Sequence, residues 1–136
     1  MRLGGCQCGA IRFASSGEAI ALYVCHCREC QKQSASAFGI SLQVPRAGLL
    51  LISGQPLSWS RATDGGRRLR CLFCGACGTR LWHEGEASPD TVTLKAGCLD
   101  VPVDLTRAIH IWTKRRLRGI EIPPGCQQFP GEPPAG

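Results

Sequence analysis

Seven of the ten cysteines in this 136-residue chain fall into three short motifs. Cys6 and Cys8 form a C-x-C between Gly5 and Gly9. Cys25, Cys27 and Cys30 form a C-x-C-x-x-C, and Cys74 and Cys77 form a C-x-x-C followed by Gly78. Such spacings let one tight turn aim two thiolates at one ion, and the adjoining glycines permit the backbone angles those turns need. The chemistry they point to is ligation of Zn²⁺, which takes four ligands in a closed structural site and three in a site that keeps a position for water or substrate. Seven thiols divide into four and three. Cys6, Cys8, Cys74 and Cys77 would close a structural site, and Cys25, Cys27 and Cys30 would hold a second, catalytic zinc, for two zinc ions per chain. Spacing leaves this partition open at two points. Cys71, Cys74 and Cys77 offer two overlapping C-x-x-C pairs, and Cys71, Cys98, His83 or His110 would each serve as a fourth ligand to the three-thiol group.

The elements that must position these thiols read as short strands. Seventeen glycines and nine prolines imply many turns, and no stretch of convincing length repeats its apolar residues every 3.6 positions. Ala10–Phe13 and Ala19–Val24 read as a first strand pair across a Gly17–Glu18 turn. Phe38–Val44, Leu49–Ile52, Leu57–Arg61, Arg68–Phe73, Arg80–His83, Thr91–Ala96 and Ala108–Thr113 are further strands. Asp64-Gly65-Gly66 is the strongest hairpin signal, between Leu57–Arg61 and Arg68–Phe73. Glu29–Gln33 is read as one helical turn. The expectation is an all-β single domain over residues 1–130, with an irregular tail at 131–136.

Composition narrows the class. No apolar run reaches the roughly eighteen residues of a membrane helix, and Met1–Phe13 has none of signal-peptide length. The chain is therefore expected in the cytoplasm, where thiols serve as ligands more often than as disulfides. The formal charge of +6 would fall to +3 with seven thiolates and two Zn²⁺ bound. Arg67, Arg68 and Arg70 form one basic cluster and Lys114, Arg115, Arg116 and Arg118 another. Neither is interleaved with aromatic residues, so a nucleic-acid partner is not expected.

The flanks of the thiol motifs make the chain resemble the glutathione-dependent formaldehyde-activating enzyme family, which shares its domain with centromere protein V. The resemblance runs from Gly5 to about Pro130. It is carried by Gly4–Ala10, Cys25–Gln31, Ser34–Phe38, Phe73–Leu81, His110–Thr113 and Gln128–Pro130. It implies a complex fold of several coiled antiparallel β-sheets built around zinc-binding hairpins. It also implies Cys6, Cys8, Cys74 and Cys77 as structural ligands and Cys25, Cys27 and Cys30 as ligands of a catalytic zinc. The implied reaction is carbon–sulfur lyase chemistry of the S-hydroxymethylglutathione synthase type, which adds a thiol such as glutathione to formaldehyde or a related small aldehyde. Cys98 stands where the family would have Thr or Ser, and Lys114–Arg118 lacks the Trp often found before Ile120.

Around the three thiols, His26 is the candidate for proton transfer, because His titrates near neutral pH. Packing is the commoner role for a histidine so placed. Arg28 and Lys32 are candidates for attracting the carboxylates of glutathione, and Ser34 and Phe38 for bordering the pocket. Two other functions compete. A non-catalytic zinc-binding interaction module would use the same ligands without an open position. A thiol redox enzyme would need a reactive cysteine outside the zinc sites, with Cys71, Cys98 or Cys126 available.

Overall fold

The computed structural model describes residues 1–63 and 66–134. Its strands are β1 (Arg2–Gly5), β2 (Arg12–Ser15), β3 (Ala21–Cys25), β4 (Gly39–Pro45), β5 (Leu49–Ser53), β6 (Leu57–Ala62), β7 (Arg68–Phe73), β8 (Arg80–Gly85), β9 (Thr91–Lys95) and β10 (Ile109–Ile111). One short helix, α1 (Arg28–Ser34), and three 3-10 turns complete the described elements, so the expected all-β class holds. No helix among the described residues is long and apolar enough to cross a membrane. The chain divides into two compact units: Met1–Ile20 with Leu42–Val103, and Ala21–Ser41 with Asp104–Gly136.

The first unit contains the antiparallel sheet β1-β2-β5 and the antiparallel run β9-β8-β7-β6. Alternation explains the core of this unit. Phe13, Leu81, Val92 and Leu94 are essentially sealed from solvent, each such side chain contributing about 1.5–3 kcal/mol on burial. Phe13 meets Trp82 edge to face with centroids 5.8 Å apart. The hairpin expected between Leu57–Arg61 and Arg68–Phe73 is β6–β7, with Leu57 opposite Phe73 and Ala62 opposite Arg68. Asp64 and Gly65 of its expected turn lie outside the described residues.

The expected first strand pair is corrected. β2 does not pair with β3; it lies between β1 and β5, with Phe13 opposite Gly4 and Leu51. β1 had no strand signal of its own. The chain after β2 is drawn off by a distant contact: Ser16 donates its N–H to the Gly48 carbonyl at 3.0 Å. A Cβ on Gly48 would sit 2.1 Å from the Ser16 carbonyl oxygen, so only glycine allows the approach.

In the second unit β3 pairs in parallel with β10, Tyr23 opposite Ile109 and Cys25 opposite Ile111. A parallel pair needs a long connection rather than a hairpin. The segment after Pro123 is irregular but tied to β10. His110 donates to the Gln127 carbonyl at 2.9 Å, Phe129 to the His110 carbonyl at 2.9 Å, and Trp112 to the Gly131 carbonyl at 3.1 Å. Cys25, Cys30 and Ile111 form the buried centre, with Tyr23, Cys27, Ile109, Trp112 and Phe129 packed around it. The expected helical turn is α1, slightly longer than anticipated. Cys27 caps its N-terminus by accepting the Cys30 N–H on Sγ at 3.3 Å, and Ala35 ends it in the left-handed region at φ 52°.

Candidate metal centres

Two turns build the four-thiol group in the first unit. After β1 the chain reverses through Cys6–Gly9, with the Gly9 N–H on the Cys6 carbonyl at 3.1 Å. After β7 it reverses through Cys74–Gly78, with the Gly78 N–H on the Cys74 carbonyl at 2.8 Å. Gly9 and Gly78 both sit at φ 82°, the conformation that the sequence assigned to glycine at these points. The turns are joined by Thr79, whose hydroxyl accepts the Gln7 N–H at 3.1 Å and lies 3.2 Å from Cys77 Sγ.

The sulfurs of Cys6, Cys8, Cys74 and Cys77 all lie within 4.8 Å of one another. Four sulfurs about 2.3 Å from a tetrahedral ion stand about 3.8 Å apart. Cys6 to Cys8 is 3.6 Å and Cys8 to Cys74 is 3.8 Å. Cys6 and Cys74 are buried, Cys77 is half-buried and Cys8 is exposed. The Ile11 N–H donates to Cys6 Sγ at 3.2 Å, the kind of bond that supports a thiolate. The group fits zinc in donor type, number and spacing.

The three-thiol group in the second unit is local. β3 delivers Cys25, and α1 brings Cys30 back over Cys27. Their sulfurs also lie within 4.8 Å of one another. Cys25 and Cys30 are buried and Cys27 is half-exposed. Gln33 Nε2 donates to Cys30 Sγ at 3.4 Å. Among the described residues no imidazole, carboxylate or further thiol joins either group, so the three sulfurs have the donor set of a site with one position left over.

Metal-free thiols packed this closely cannot all ionise, and their titrations separate accordingly. Hydrogen bonds from Cys25 and then Cys30 hold Cys27 down at about 2, while Cys27 and then Cys30 push Cys25 far up. In the four-thiol group the Thr79 hydroxyl and backbone N–H hold Cys77 at about 5. Cys8 receives a favourable bond from the Ala10 backbone, yet the Cys6 and Cys77 thiols outweigh it and push it up to about 11. A bound divalent cation is what would allow every sulfur to be thiolate at once.

The remaining candidates lie outside these groups. Cys71 is buried on β7, in register with Trp59 and His83. Cys98 Sγ donates to the Arg80 carbonyl at 3.1 Å, and burial followed by the Cys6 charge pushes its thiol to about 11. Cys126 Sγ donates to the Thr106 carbonyl. A thiol raised like that of Cys98 lacks the thiolate character that redox chemistry needs.

His26 is completely buried, its Nε2 2.9 Å from Nδ1 of His110 and its ring edge-on to Phe38 at 5.7 Å. Gln31, also buried, was not singled out in the sequence, although it braces the thiol turn. Its Nε2 donates to the His26 carbonyl at 2.9 Å and the Arg115 carbonyl at 3.0 Å, and Arg28 Nη1 donates to its Oε1 at 3.0 Å. Only its place in the Cys-Gln flank of the third thiol hinted at this. Ser34 is spent on the helix, donating to the Cys30 carbonyl at 2.7 Å. Lys32 is exposed.

Comparison with solved structures finds a crystal structure of a Rhodobacter sphaeroides protein. It is similar to this chain at 17% identity with a TM-score of 0.58, covering 95% of this chain and 99% of that one. At that identity the likeness shows the fold. The model of the family described as glutathione-dependent formaldehyde-activating enzyme matches residues 1–115, which include all seven clustered cysteines. The chain belongs to the glutathione-dependent formaldehyde-activating enzyme family.

Proposed function

We propose that the protein is a zinc-dependent carbon–sulfur lyase that adds a glutathione-like thiol to formaldehyde or a related small aldehyde. It would carry two zinc ions and work in a reducing compartment such as the cytoplasm. The observation that carries this reading is the contrast between the two thiol groups. One presents four sulfurs and the other three, with no fourth protein ligand among the described residues. In this reading Cys6, Cys8, Cys74 and Cys77 hold a structural ion, and Cys25, Cys27 and Cys30 hold the one at which substrate reacts.

When bound, the second zinc supplies Lewis acidity that stabilises a substrate thiolate at neutral pH. In the addition, sulfur bonds to the aldehyde carbon, the carbon–oxygen double bond opens, and the thiol proton ends on the new hydroxyl. Burial of Cys25 and Cys30 fixes two ligands, and the Cys30 N–H steadies the third, Cys27. Gln31 holds the turn between them through the His26 carbonyl. Burial first, and then the proximity of His110 and Arg116, keeps His26 at about 4, so its ring is neutral at pH 7. Its full burial and its bond to His110 support a positioning role, bracing the Cys25–Cys27 turn, over direct contact with substrate.

The test pairs metal content with activity. Zinc-loaded wild type should hold two zinc ions per chain and catalyse the addition and its reverse. Cys25→Ser should hold one and lose the activity by at least about a hundredfold, the scale of losing a metal's charge stabilisation. Full activity with one zinc would overturn the assignment of the second ion as the catalytic one, and two bound ions without activity in wild type would favour a zinc-binding interaction module.

A further inference from the structure

On the lyase reading, three protein thiolates stand beside an electrophile. A thiolate is both the metal ligand and the nucleophile, so a protein sulfur can add to an aldehyde as the substrate's does. The sulfur would bond to the carbonyl carbon, the π pair would move to oxygen, and the oxygen would take a proton from water. A sulfur consumed in this way is lost as a ligand. An N–H donor aimed at a thiolate opposes the addition, because that charge-assisted bond must break before the sulfur attacks.

Each of the three sulfurs takes an N–H. Cys27 Sγ accepts the Cys30 N–H at 3.3 Å, and Cys25 accepts from the Cys27 backbone. Those donors belong to the thiol turn and come with its backbone path. At Cys30 the donor is a side chain, Gln33 Nε2 at 3.4 Å from Sγ. Gln33 stands three residues further along α1, on the same face of the helix. Its neighbours Lys32 and Ser34 are exposed, whereas Gln33 is half-buried. Gln31 and Ser34 of the same helix spend their donors on backbone carbonyls.

Gly39 singles out the same spot independently. It opens β4, is buried, and lies against the pair. A Cβ on it would stand 3.2 Å from Cys30 Cβ, 3.4 Å from Cys30 Sγ and 3.8 Å from Gln33 Nε2. Its φ is not positive, so glycine serves here for room rather than for backbone freedom. The start of β4 leaves a slot in which the sulfur and the amide meet.

We propose that Gln33 is a positioning residue that keeps Cys30 a metal ligand and withholds its sulfur from the aldehyde. The inference rests on the lyase reading and adds to it the means by which the site spares its own thiolate. The Gln33 amide occupies a lone pair of Cys30 Sγ, and Gly39 gives the two the space to meet.

The test is timed alkylation of the zinc-loaded protein by iodoacetamide, read cysteine by cysteine by peptide mass spectrometry, with zinc content measured on the same samples. Sulfur bonds to the methylene carbon and iodide leaves, so no lyase turnover is needed. Gln33→Met keeps the length of the side chain and removes the N–H. It should still hold two zinc ions, and its Cys30 should alkylate at least about tenfold faster than in wild type, the scale of one hydrogen bond to a charged atom. Cys25 and Cys27 should keep their wild-type rates, because their donors are backbone groups. Gln33→Arg restores an N–H and should return Cys30 toward the wild-type rate.

An unchanged Cys30 rate in Gln33→Met would overturn the proposal. So would equal acceleration of all three cysteines, which would make Gln33 a prop of the helix. If Gln33→Met does not fold or does not hold two ions, Gln33→Glu, similar in shape and without an N–H, decides it by the same readout. Lyase activity in wild type with a Cys30 rate indifferent to Gln33 would leave the reaction standing and remove this role. A Cys30 guarded by Gln33 in a protein without lyase activity would keep the effect of the hydrogen bond and remove the lyase reading.

Discussion

His26 and His110 share one hydrogen bond, 2.9 Å from Nε2 of the first to Nδ1 of the second, with the rings stacked 5.2 Å apart. Both are buried, and the outward nitrogens, His26 Nδ1 and His110 Nε2, have no hydrogen-bond partner among the described residues. Each ring therefore makes its one side-chain hydrogen bond to the other, and replacing either strands a buried polar atom at a cost of about 1–3 kcal/mol. Phenylalanine at both positions strands neither. His26→Phe and His110→Phe should each lower the stability of the zinc-loaded protein by that amount, and the double variant by clearly less than their sum. Urea denaturation of the four proteins checks this, and additive losses would contradict the pairing. The pair was out of reach of the sequence because its members stand 84 positions apart. The thiol turns were legible because each is made within six residues, and Gly9 and Gly78 stand where two of them require a positive φ. Trp112, left-handed at φ 56°, had no such marker, since tryptophan is among the residues least expected there.

At the scale of elements, the same division by range applies. β6–β7 was legible from a turn of three strongly biased residues, and β9 from its alternation of Thr with Val and Leu. The partners of β2 and β3 were not. Their pairing depends on strands tens of residues away, and period alone cannot choose among apolar strands. Glu84 shows what such pairing adds. On β8 it accepts from Arg46 Nη1 at 3.2 Å, from Arg70 Nη1 of β7 at 3.3 Å and from the Trp82 indole at 3.2 Å. Burial raises its pKa, but the Arg46 and Trp82 hydrogen bonds outweigh this and hold it below the ordinary value of 4.5. A carboxylate depressed in the folded state contributes stability above its unfolded value and loses it as pH falls through the folded value. The stability difference between wild type and Glu84→Gln should therefore be full at pH 6, about 1 kcal/mol for bonds of this exposure. It should shrink as pH drops below 4.5. Denaturation curves of both proteins at pH 6, 4.5 and 3.5 measure it, and a difference that grows on acidification would contradict the ion-pair account.

Across the whole molecule, each compact unit contains one thiol group, and the two groups tie the chain very differently. The four-thiol group joins Cys8 to Cys74, 66 positions apart, whereas the three-thiol group spans only Cys25 to Cys30. Loop-closure entropy grows with the logarithm of loop length, so the longer tie restricts the unfolded chain by about 2 kcal/mol more. Four ligands also retain an ion better than three. Cys74→Ser should therefore cost about 2 kcal/mol more stability than Cys30→Ser, although both thiols are buried and each substitution removes one proposed metal ligand. On the proposed reading, a mild chelator should take the ion from the three-thiol group first, abolishing the proposed lyase activity while the melting temperature falls only slightly. A second, stronger treatment should then lower the melting temperature steeply as the ion of the first unit leaves. Zinc analysis, activity and thermal melting on the same samples separate the two steps. If the first ion to leave carried most of the stability with it, the short tie would be the staple of the fold, and the division into structural and catalytic zinc would have to be reversed.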